Sequence, residues 1–384
     1  MPSRSPWRIV AAFALLCATL LLPMAGQATT LIPPPPALAA RGYLLMDPYS
    51  GRVLAASNET QRLEPASLTK LMTAYVAFDA LRAGRLRLDQ LLTISSTAWK
   101  QEGSRTFVEP GMQVSVEDLL KGMIVQSGND AAVALAEAIA GSEPSFAELM
   151  NLHSRRLGMA ASHWMNATGL PHPEHHTTAR DLGLLAAAII REFPQYYRYY
   201  ALREFTFNGI TQQNRNGLLA RDPSVDGIKT GHTESAGYCL ASSAQRQGMR
   251  LVAVVLGTAS TQAREDASAA LLNWGFSFYE SRRVAAAGKS LRQAEVFKSG
   301  QSAAFGVRRD LWVTVPRGDF ARVRVAVSLP PALVAPLAMG TAVGQVVVSL
   351  DGQRIATAPL HPLQPVPAGN VFRRAWDSLR LIWH

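Results

Sequence analysis

The chain is poor in cysteine, with two among its 384 residues. Cys17 lies in the middle of an N-terminal apolar run rather than at its end, which makes it a poor site for lipid attachment. If that run is removed, Cys239 is the one cysteine left, so no internal disulfide can form. Because its neighbours in the sequence are apolar, we interpret Cys239 as a small core residue rather than a reactive thiol.

Long apolar runs are also scarce, and the N-terminal one, residues 9–22, is too short to span a bilayer comfortably. Arg4 and Arg8 precede it, and small residues follow as far as Gly26-Gln27-Ala28. This order of charged, apolar and small residues is typical of a secretory signal peptide. We predict a signal over residues 1–28 with cleavage near Ala28, and an uncleaved anchor is the alternative.

Charged residues are few, 17% of the chain against 48% hydrophobic residues, which excludes a disordered chain. The net charge of +10 favours an anionic partner such as nucleic acid, acidic lipid or cell-wall polymer. The sequence has no basic run with interleaved aromatic residues, so nucleic acid is not expected as a partner. Acidic lipid and wall polymer therefore remain as the expected anionic partners.

The order of predicted elements indicates an α/β (α+β) catalytic domain at residues 40–281, preceded by a proline-rich linker at 29–39. Strand patterns come first and return late, with helical patterns between them, which predicts one sheet flanked by helices. The predicted strands cover residues 43–46, 53–56, 225–230, 238–244 and 251–256. The predicted helices cover residues 66–83, 116–124, 131–140, 145–157, 179–191 and 262–274.

The C-terminal part has a different pattern and no catalytic cluster. Short strands predicted over 311–315, 323–329, 343–350 and 355–359 define a small all-β domain at 282–366, with a hairpin turn at Asp351-Gly352. Residues 370–384 predict a basic amphipathic helix with Phe372, Trp376 and Leu379 on its apolar stripe. Such a helix at a chain end is typical of the membrane interface, with packing on the β-domain as the alternative. We therefore expect a protein secreted across the cytoplasmic membrane and anchored peripherally on the periplasmic side of the inner membrane.

The candidate catalytic centre begins with Ser67-Leu68-Thr69-Lys70, which follows Pro65 at a predicted helix start. Positions three apart share one face of a helix, so Lys70 can reach the Ser67 hydroxyl. A hydroxyl becomes a good nucleophile when a neighbouring base takes its proton. A lysine can be that base where burial and nearby positive charge favour its neutral form. The free N–H groups of the helix start would stabilise an oxyanion.

Two further motifs follow in order. Ser127-Gly128-Asn129 lies just before a predicted helix, and Lys229-Thr230-Gly231 lies at the end of a predicted strand. Each motif has a structural alternative, since Ser67 is a good helix cap, the second motif a common turn and Lys229 an ordinary surface charge. Together they match the ordered set of β-lactamases and penicillin-binding proteins, apart from Gly128, where an aspartate is usual.

With its flanking segments the chain resembles the low-molecular-mass penicillin-binding proteins, specifically the serine-type D-alanyl-D-alanine carboxypeptidases of peptidase family S11. The resemblance rests on PASLTKLMTAYV, SGNDAAVALAE and DGIKTGHTESAGYCLA, and it extends over the β-domain and the terminal helix. It implies a β-lactamase/transpeptidase-like catalytic domain with a small all-β second domain and no cofactor or metal. It also implies peptidoglycan pentapeptides as the substrate and covalent inhibition by β-lactam antibiotics.

The resemblance implies catalytic roles for three side chains and a substrate-binding role for a fourth, Asn129. Ser67 would attack the carbonyl of the penultimate D-alanine and form an acyl-enzyme, while Lys70 would accept the proton. Ser127 would pass a proton to the leaving amine, and Asn129 would hold the substrate amide. The backbone N–H groups of Ser67 and His232 would form the oxyanion hole.

The resemblance also implies a binding site for the terminal carboxylate of the substrate. Lys229 and the Thr230 hydroxyl, on the strand that continues through Gly231, would hold this carboxylate. Arg264 would add positive charge near it. Water would then release the acyl group from the enzyme.

A separate cluster, His172-Pro173-Glu174-His175-His176, contains residue types that bind zinc. Its prolines indicate a loop without a rigid scaffold, and the family that the chain resembles uses no metal. We therefore expect no metal site there.

Three other functions remain open at this point. A β-lactamase needs an extra general base for fast release, a glutamate in class A enzymes, but its expected place holds His163 and no glutamate lies between Glu148 and Glu174. A D,D-endopeptidase of the same family would cut peptide cross-links with the same site, although such relatives usually lack the β-domain. A non-enzymatic wall-binding scaffold would not need intact catalytic side chains.

Overall fold

The computed structural model describes residues 32–383, and the chain from Pro34 onward forms one compact unit. The predicted signal peptide and its cleavage site lie outside the described residues. Residues 32–39, within the predicted linker, have no regular secondary structure. No helix in the described part of the chain is long and apolar enough to cross a membrane.

The described residues form helices and strands in alternating groups. The helices are α1 (Thr69–Arg82), α2 (Ser96–Trp99), α3 (Val116–Val125), α4 (Asn129–Ala140), α5 (Glu143–Leu157), α6 (Ala179–Glu192), α7 (Pro194–Tyr197), α8 (Leu218–Arg221), α9 (Thr261–Phe278) and α10 (Val371–Arg380). The strands are β1 (Gly42–Met46), β2 (Val53–Ser57), β3 (Leu91–Thr93), β4 (Gln113–Ser115), β5 (Glu204–Phe207), β6 (Ile210–Gln213), β7 (Val225–Thr233), β8 (Gly237–Arg246), β9 (Met249–Thr258), β10 (Tyr279–Ala285), β11 (Arg292–Val296), β12 (Gln301–Gly306), β13 (Leu311–Pro316), β14 (Val323–Ser328), β15 (Gly344–Leu350) and β16 (Gln353–Pro362). One-turn 3-10 helices lie at Ala66–Leu68, Arg198–Ala201, Asp319–Arg322 and Leu381–Trp383.

The N-terminal part of the described chain is built on a five-stranded antiparallel sheet in the order β2-β1-β9-β8-β7. Successive side chains of a strand point to opposite faces, and Leu44 of β1 packs against Gly183 of α6 while Leu45 packs against Gly275 of α9. Both faces of the sheet are therefore covered by helices. This explains why residues 251–256 of β9 form an unbroken apolar run rather than an alternating one. The predicted mixed fold, with one sheet from both ends of the domain, is confirmed.

Local capping signals define most helix limits. Side chains of Ser115, Thr178 and Ser260 each accept a hydrogen bond from the backbone N–H three residues on, at the start of α3, α6 and α9. Gly141 and Gly158 follow α4 and α5 with positive φ, as helix-ending glycines do. These short-range interactions explain why the predicted and observed helix limits differ by only a few residues.

The structure differs from the predictions in several short elements. The predicted helix over 66–83 begins as the 3-10 turn Ala66–Leu68, and its α-helical part starts at Thr69. The hairpins β3–β4 and β5–β6 and the strands β10, β11 and β12 were not predicted, because these segments are short, polar or interrupted. None of these differences alters the sheet order.

The C-terminal strands form a second core. One sheet has the order β11-β12-β16-β15-β14, and β10 pairs separately with β13. The predicted hairpin at Asp351-Gly352 joins β15 to β16, and both of its residues have positive φ. The predicted domain boundary after residue 281 falls within β10, and the domain limits remain a prediction.

The two cores meet where the β1–β2 turn packs against β13. The Thr314 hydroxyl donates to the buried Asp47 carboxylate at 2.8 Å, and Arg52 donates to the Thr314 carbonyl at 2.6 Å. The Tyr49 and Trp312 rings stack with their centroids 5.1 Å apart. This polar and aromatic contact joins the second core to the sheet that carries the candidate site.

Candidate active site

Ser67 lies in the 3-10 turn Ala66–Leu68 and contacts Lys70 in the first turn of α1, as their spacing predicted. Lys70 Nζ donates to Ser67 Oγ at 3.1 Å, to Asn129 Oδ1 at 2.7 Å and to the Thr168 carbonyl at 2.6 Å. The ammonium form has one proton for each of these contacts, whereas the neutral amine has two protons, enough for Asn129 and Thr168, and a lone pair that can face Ser67 Oγ. Lys70 is 1% exposed, so the amine is held in one position and shielded from water.

The electrostatic surroundings of Lys70 favour its neutral form. Burial, with a smaller contribution from the positive charge of Arg215, lowers the pKa of Lys70 from 10.5 to about 7. The carboxylates of Asp130 and Glu143 act in the opposite direction. An amine with a pKa near 7 is a competent general base at neutral pH. Lys70 is therefore suited to take the proton of the Ser67 hydroxyl.

The second motif presents a hydroxyl into the same site. Ser127 has φ +69° although it is not a glycine, and its buried hydroxyl has no hydrogen-bond partner among residues 32–383. Such strain and an unpaired buried hydroxyl are typical of functional positions. Gly128 packs so closely on Thr106 that a Cβ would overlap with its side chain, which excludes the aspartate that is usual at this place. Asn129 begins α4 and holds Lys70.

The third motif lies on β7, the edge strand of the sheet, which runs beside the nucleophile. A Cβ on Gly231 would lie 3.0 Å from the Pro65 carbonyl oxygen and 3.3 Å from Ala66 Cβ, so only glycine allows this close approach. Lys229, which precedes it, is buried, and its Nζ donates to the Thr230 carbonyl at 3.1 Å. Burial, followed by the charges of Lys70, Arg215 and Arg264, lowers the pKa of Lys229 well below its usual range.

A cavity of about 360 Å³ joins the three motifs. Its lining is Ser67, Ser104, Ser127, Arg215, Thr230, Gly231, His232, Tyr238, Thr261 and Arg264. Lys70 and Lys229 are buried next to members of this lining, Ser67 and Thr230, and Asn129 is buried beside Lys70. The described lining contains no carboxylate, and its charged members are two arginines. The cavity is therefore suited to an anionic group of a ligand.

Arg264 both charges and shapes the cavity. Its guanidinium donates to the Gly231 and Arg215 carbonyls, each at 3.3 Å, and lies over the Tyr238 ring at 5.8 Å. It thus ties β7 to the loop that carries Arg215. Sequence reasoning did not identify Arg215, Ser104, Tyr238 or Thr261, because no local pattern marks them.

The histidine cluster lies outside this cavity. His163, His172, His175 and His176 line a separate groove of about 940 Å³ together with Arg62 and other side chains. In the part of the chain that the structure describes, no group of three or more His, Cys, Asp or Glu side chains is arranged to hold a metal ion.

Cys239 is fully buried and forms no disulfide, and burial raises the pKa of its thiol to about 11.

The rate of Ser67 acylation by a penicillin should depend on pH, and the acid limb of the pH–rate profile, where the rate falls with falling pH, should lie near pH 7. Below this pH the rate should fall about tenfold per pH unit, because only neutral Lys70 accepts a proton. Arg215→Ala removes a positive charge that lowers the pKa of Lys70. The pKa of Lys70 should therefore rise in this variant, and the acid limb of its pH–rate profile should move to higher pH. Arg221→Ala, which removes a surface arginine paired with Glu265 and Asp266, is the matched control. Acylation rates measured from pH 5 to pH 9 test this, and the same limb in Arg215→Ala as in the wild type would contradict it.

Comparison with known proteins identifies a family and solved relatives. The family model described as D-alanyl-D-alanine carboxypeptidase matches residues 28–260, and the one described as penicillin-binding protein 5, C-terminal domain, matches residues 279–368. The chain is 42% identical over 364 residues to D-alanyl-D-alanine carboxypeptidase DacA of Escherichia coli K12, covering 92% of this chain and 90% of that protein. It is 33% identical over 328 residues to DacF of Bacillus subtilis, covering 84% of each. The crystal structure of penicillin-binding protein 5 from Haemophilus influenzae matches with a TM-score of 0.80 and 42% identity, covering 87% of this chain and 99% of that one.

Proposed function

This chain belongs to the D-alanyl-D-alanine carboxypeptidase family and is a serine-type carboxypeptidase of the penicillin-binding kind, and we propose that Ser67 is its nucleophile. The observation that carries this proposal is the 3.1 Å contact between Ser67 Oγ and the Nζ of a buried lysine. The substrate is a peptidoglycan peptide that ends in D-Ala-D-Ala, and β-lactams occupy the same site.

Acylation uses the residues around Ser67. Neutral Lys70 takes the hydroxyl proton as Ser67 Oγ bonds to the carbonyl carbon of the penultimate D-alanine. The backbone N–H groups of Ser67 and His232 hold the negative oxygen of the tetrahedral intermediate. The C–N bond then breaks, and the proton that Lys70 accepted passes through the Ser127 hydroxyl to the leaving amine, which restores neutral Lys70. Free D-alanine departs, and water later hydrolyses the ester.

The positive charge of the cavity explains why the enzyme would act on peptides with a free C-terminal carboxylate. A substrate that ends one residue after the scissile bond places its carboxylate close to the attacked carbonyl. Thr230, Arg264 and Arg215 line the cavity and receive this carboxylate. Lys229 is buried next to Thr230 and adds its charge to the same site. A bound carboxylate also returns buried Lys229 to its charged form, because an opposite charge favours the ammonium. A peptide without a free terminus leaves these cations unpaired, so cross-link cleavage is disfavoured relative to carboxypeptidase activity.

The cavity also disfavours a β-lactamase. Fast hydrolysis of a penicilloyl ester needs a carboxylate that activates water. Neither His163, at the expected place, nor Glu174 lines the cavity, and both border the separate groove. We therefore expect a long-lived acyl-enzyme with penicillin.

Release of D-alanine from a pentapeptide tests the activity itself. The wild-type protein should release one D-alanine per peptide, whereas the matched peptide with a C-terminal amide should be a poor substrate because its carboxylate is lost. Equal cleavage of the two peptides would contradict the carboxylate site. No release from the free acid would refute the activity.

The terminal helix α10 is the proposed membrane anchor. Its polar side faces the β-domain, where Asp377 accepts from the Lys298 N–H at 2.6 Å and Arg380 pairs with Glu295 at 2.9 Å. Its apolar side is left exposed, with Phe372 86% and Trp376 60% accessible. This orientation supports insertion of the apolar side into one leaflet of the inner membrane. We therefore place the protein peripherally on the periplasmic side of that membrane.

Binding to anionic lipid vesicles tests the anchor. Deletion of residues 370–384, or replacement of Phe372, Trp376 and Leu379 by serine, should weaken vesicle binding at least about 100-fold, since each apolar side chain contributes about 1.5–3 kcal/mol when buried. The matched control replaces three exposed apolar residues of the β-domain by serine: Val325, Met339 and Ile355. Retention of the deletion variant on vesicles would show that another surface anchors the protein.

A further inference from the structure

The peptide unit between Ala66 and Ser67 is held from behind by two buried side chains. The Thr69 hydroxyl donates to the Ala66 carbonyl oxygen at 2.8 Å, and His175 Nε2 lies 2.8 Å from the same hydroxyl. We propose that His175 and Thr69 act as positioning residues that orient the Ser67 N–H for the oxyanion. The proposal rests on Ser67 being the nucleophile.

Because the peptide bond is planar, a contact to the Ala66 carbonyl also fixes the orientation of the Ser67 N–H. The Ala66 carbonyl and the Ser67 N–H belong to one rigid plane and point in opposite directions. Fixing the carbonyl oxygen therefore fixes the direction of the N–H. A hydrogen bond accepted by the carbonyl also polarises the N–H and makes it a stronger donor. The Thr69 hydroxyl thus acts on the oxyanion-hole donor without touching the substrate.

This peptide unit needs such support. Ala66 has φ +47°, a left-handed conformation that residues with a Cβ seldom adopt. The strain persists only where surrounding contacts hold it. Gly169 supplies one of these contacts, because it packs on the Ala66 carbonyl so closely that a Cβ there would overlap with the oxygen. The carbonyl oxygen is therefore enclosed by Thr69 on one side and the loop backbone on the other.

The hydrogen-bond direction follows from the second nitrogen of His175. The Met165 N–H donates to His175 Nδ1 at 3.2 Å, so Nδ1 is the acceptor and Nε2 carries the proton. Nε2–H therefore donates to Thr69, whose own proton goes to Ala66. Burial beside the edge of Trp164 lowers the pKa of His175 to about 3, so the imidazole stays neutral. The relay has the same direction at every working pH.

The experiment measures acylation by a penicillin in the full-length protein, separating the affinity of the first complex from the rate constant of acylation. Thr69→Val should lower the rate constant about tenfold or more and leave the affinity unchanged, whereas Thr69→Ser should stay within about threefold of the wild type. His175→Leu should match Thr69→Val, and His175→Gln, which keeps an N–H donor, should recover most of the rate. Because His175 lies outside α1, this pair repeats the comparison if Thr69→Val folds poorly.

Two further readouts separate positioning from general destabilisation. The affinity for a peptide boronic acid, which forms a tetrahedral adduct with the serine, should fall in parallel with the rate, and the acid limb near pH 7 should not move. Thr314→Val, which removes a buried hydroxyl bonded to Asp47, should lower thermal stability without changing acylation. A folded Thr69→Val variant that acylates within twofold of the wild type would overturn the relay. A shifted acid limb would overturn it too, because the effect would then act through Lys70. Failure of the wild type itself to be labelled at Ser67 would instead overturn the proposed nucleophile.

Discussion

Ser67→Ala should abolish both D-alanine release and covalent labelling by penicillin, with a loss of about 10⁶-fold in turnover, the size seen when a serine hydrolase loses its nucleophile. The variant should fold normally, because the side chain contributes one hydrogen bond, to Lys70. It should still bind penicillin reversibly, since the cations of the cavity are unchanged.

The control for this variant is Ser104→Ala, which removes another hydroxyl of the same cavity. Covalent labelling should persist in Ser104→Ala and be absent in Ser67→Ala. A labelled Ser67→Ala protein would place the nucleophile elsewhere.

Lys70→Met should lower the acylation rate constant about 10³–10⁴-fold, at the upper end of what a general base contributes. Lys70→Arg should be nearly as inactive, because a guanidinium keeps the positive charge but stays protonated at every working pH. Acylation rates and thermal melting of the two variants, measured together, check this. Both variants must melt cooperatively for the comparison to hold.

The two substitutions separate proton transfer from charge. If Lys70→Arg acylated nearly as fast as the wild type, the role of Lys70 would be electrostatic and the proton would leave by another route. If both variants acylated normally, Lys70 would have no part in the reaction.

The contact between Ser67 and Lys70 could be predicted from the sequence because it is local. Residues three apart meet in a 3-10 turn as well as in an α-helix, so the prediction survives the actual geometry at Ala66–Leu68. The other partners of Lys70 could not be predicted in this way. The Thr168 carbonyl belongs to a loop almost a hundred residues further along the chain, and only tertiary packing brings it to the amine.

Arg215 shows why part of the cavity was not predicted. It is a lone arginine in a polar loop, and nothing local distinguishes it from a solvated charge. Its backbone is held by Arg264 of α9, and its Nε donates to Gln126 at 3.3 Å. These contacts join three distant segments. Charge in the cavity therefore depends on the fold rather than on any motif.

The histidine cluster was interpreted correctly as a loop, but its most buried member has an unpredicted contact. His175 lies more than a hundred residues from Thr69, so no local sequence pattern indicates their hydrogen bond.

The terminal helix was also predicted only in part. Its apolar stripe was predicted, whereas the docking of its polar side depends on Glu295 and Lys298, on strand β11 and the turn that follows it.

The most direct test of the account is to incubate the wild-type protein with a labelled penicillin and map the modified peptide. The account predicts one label per chain, on Ser67, with a rate that rises through pH 7 as Lys70 loses its proton. A label on any other residue, or no label on the folded protein, would contradict it.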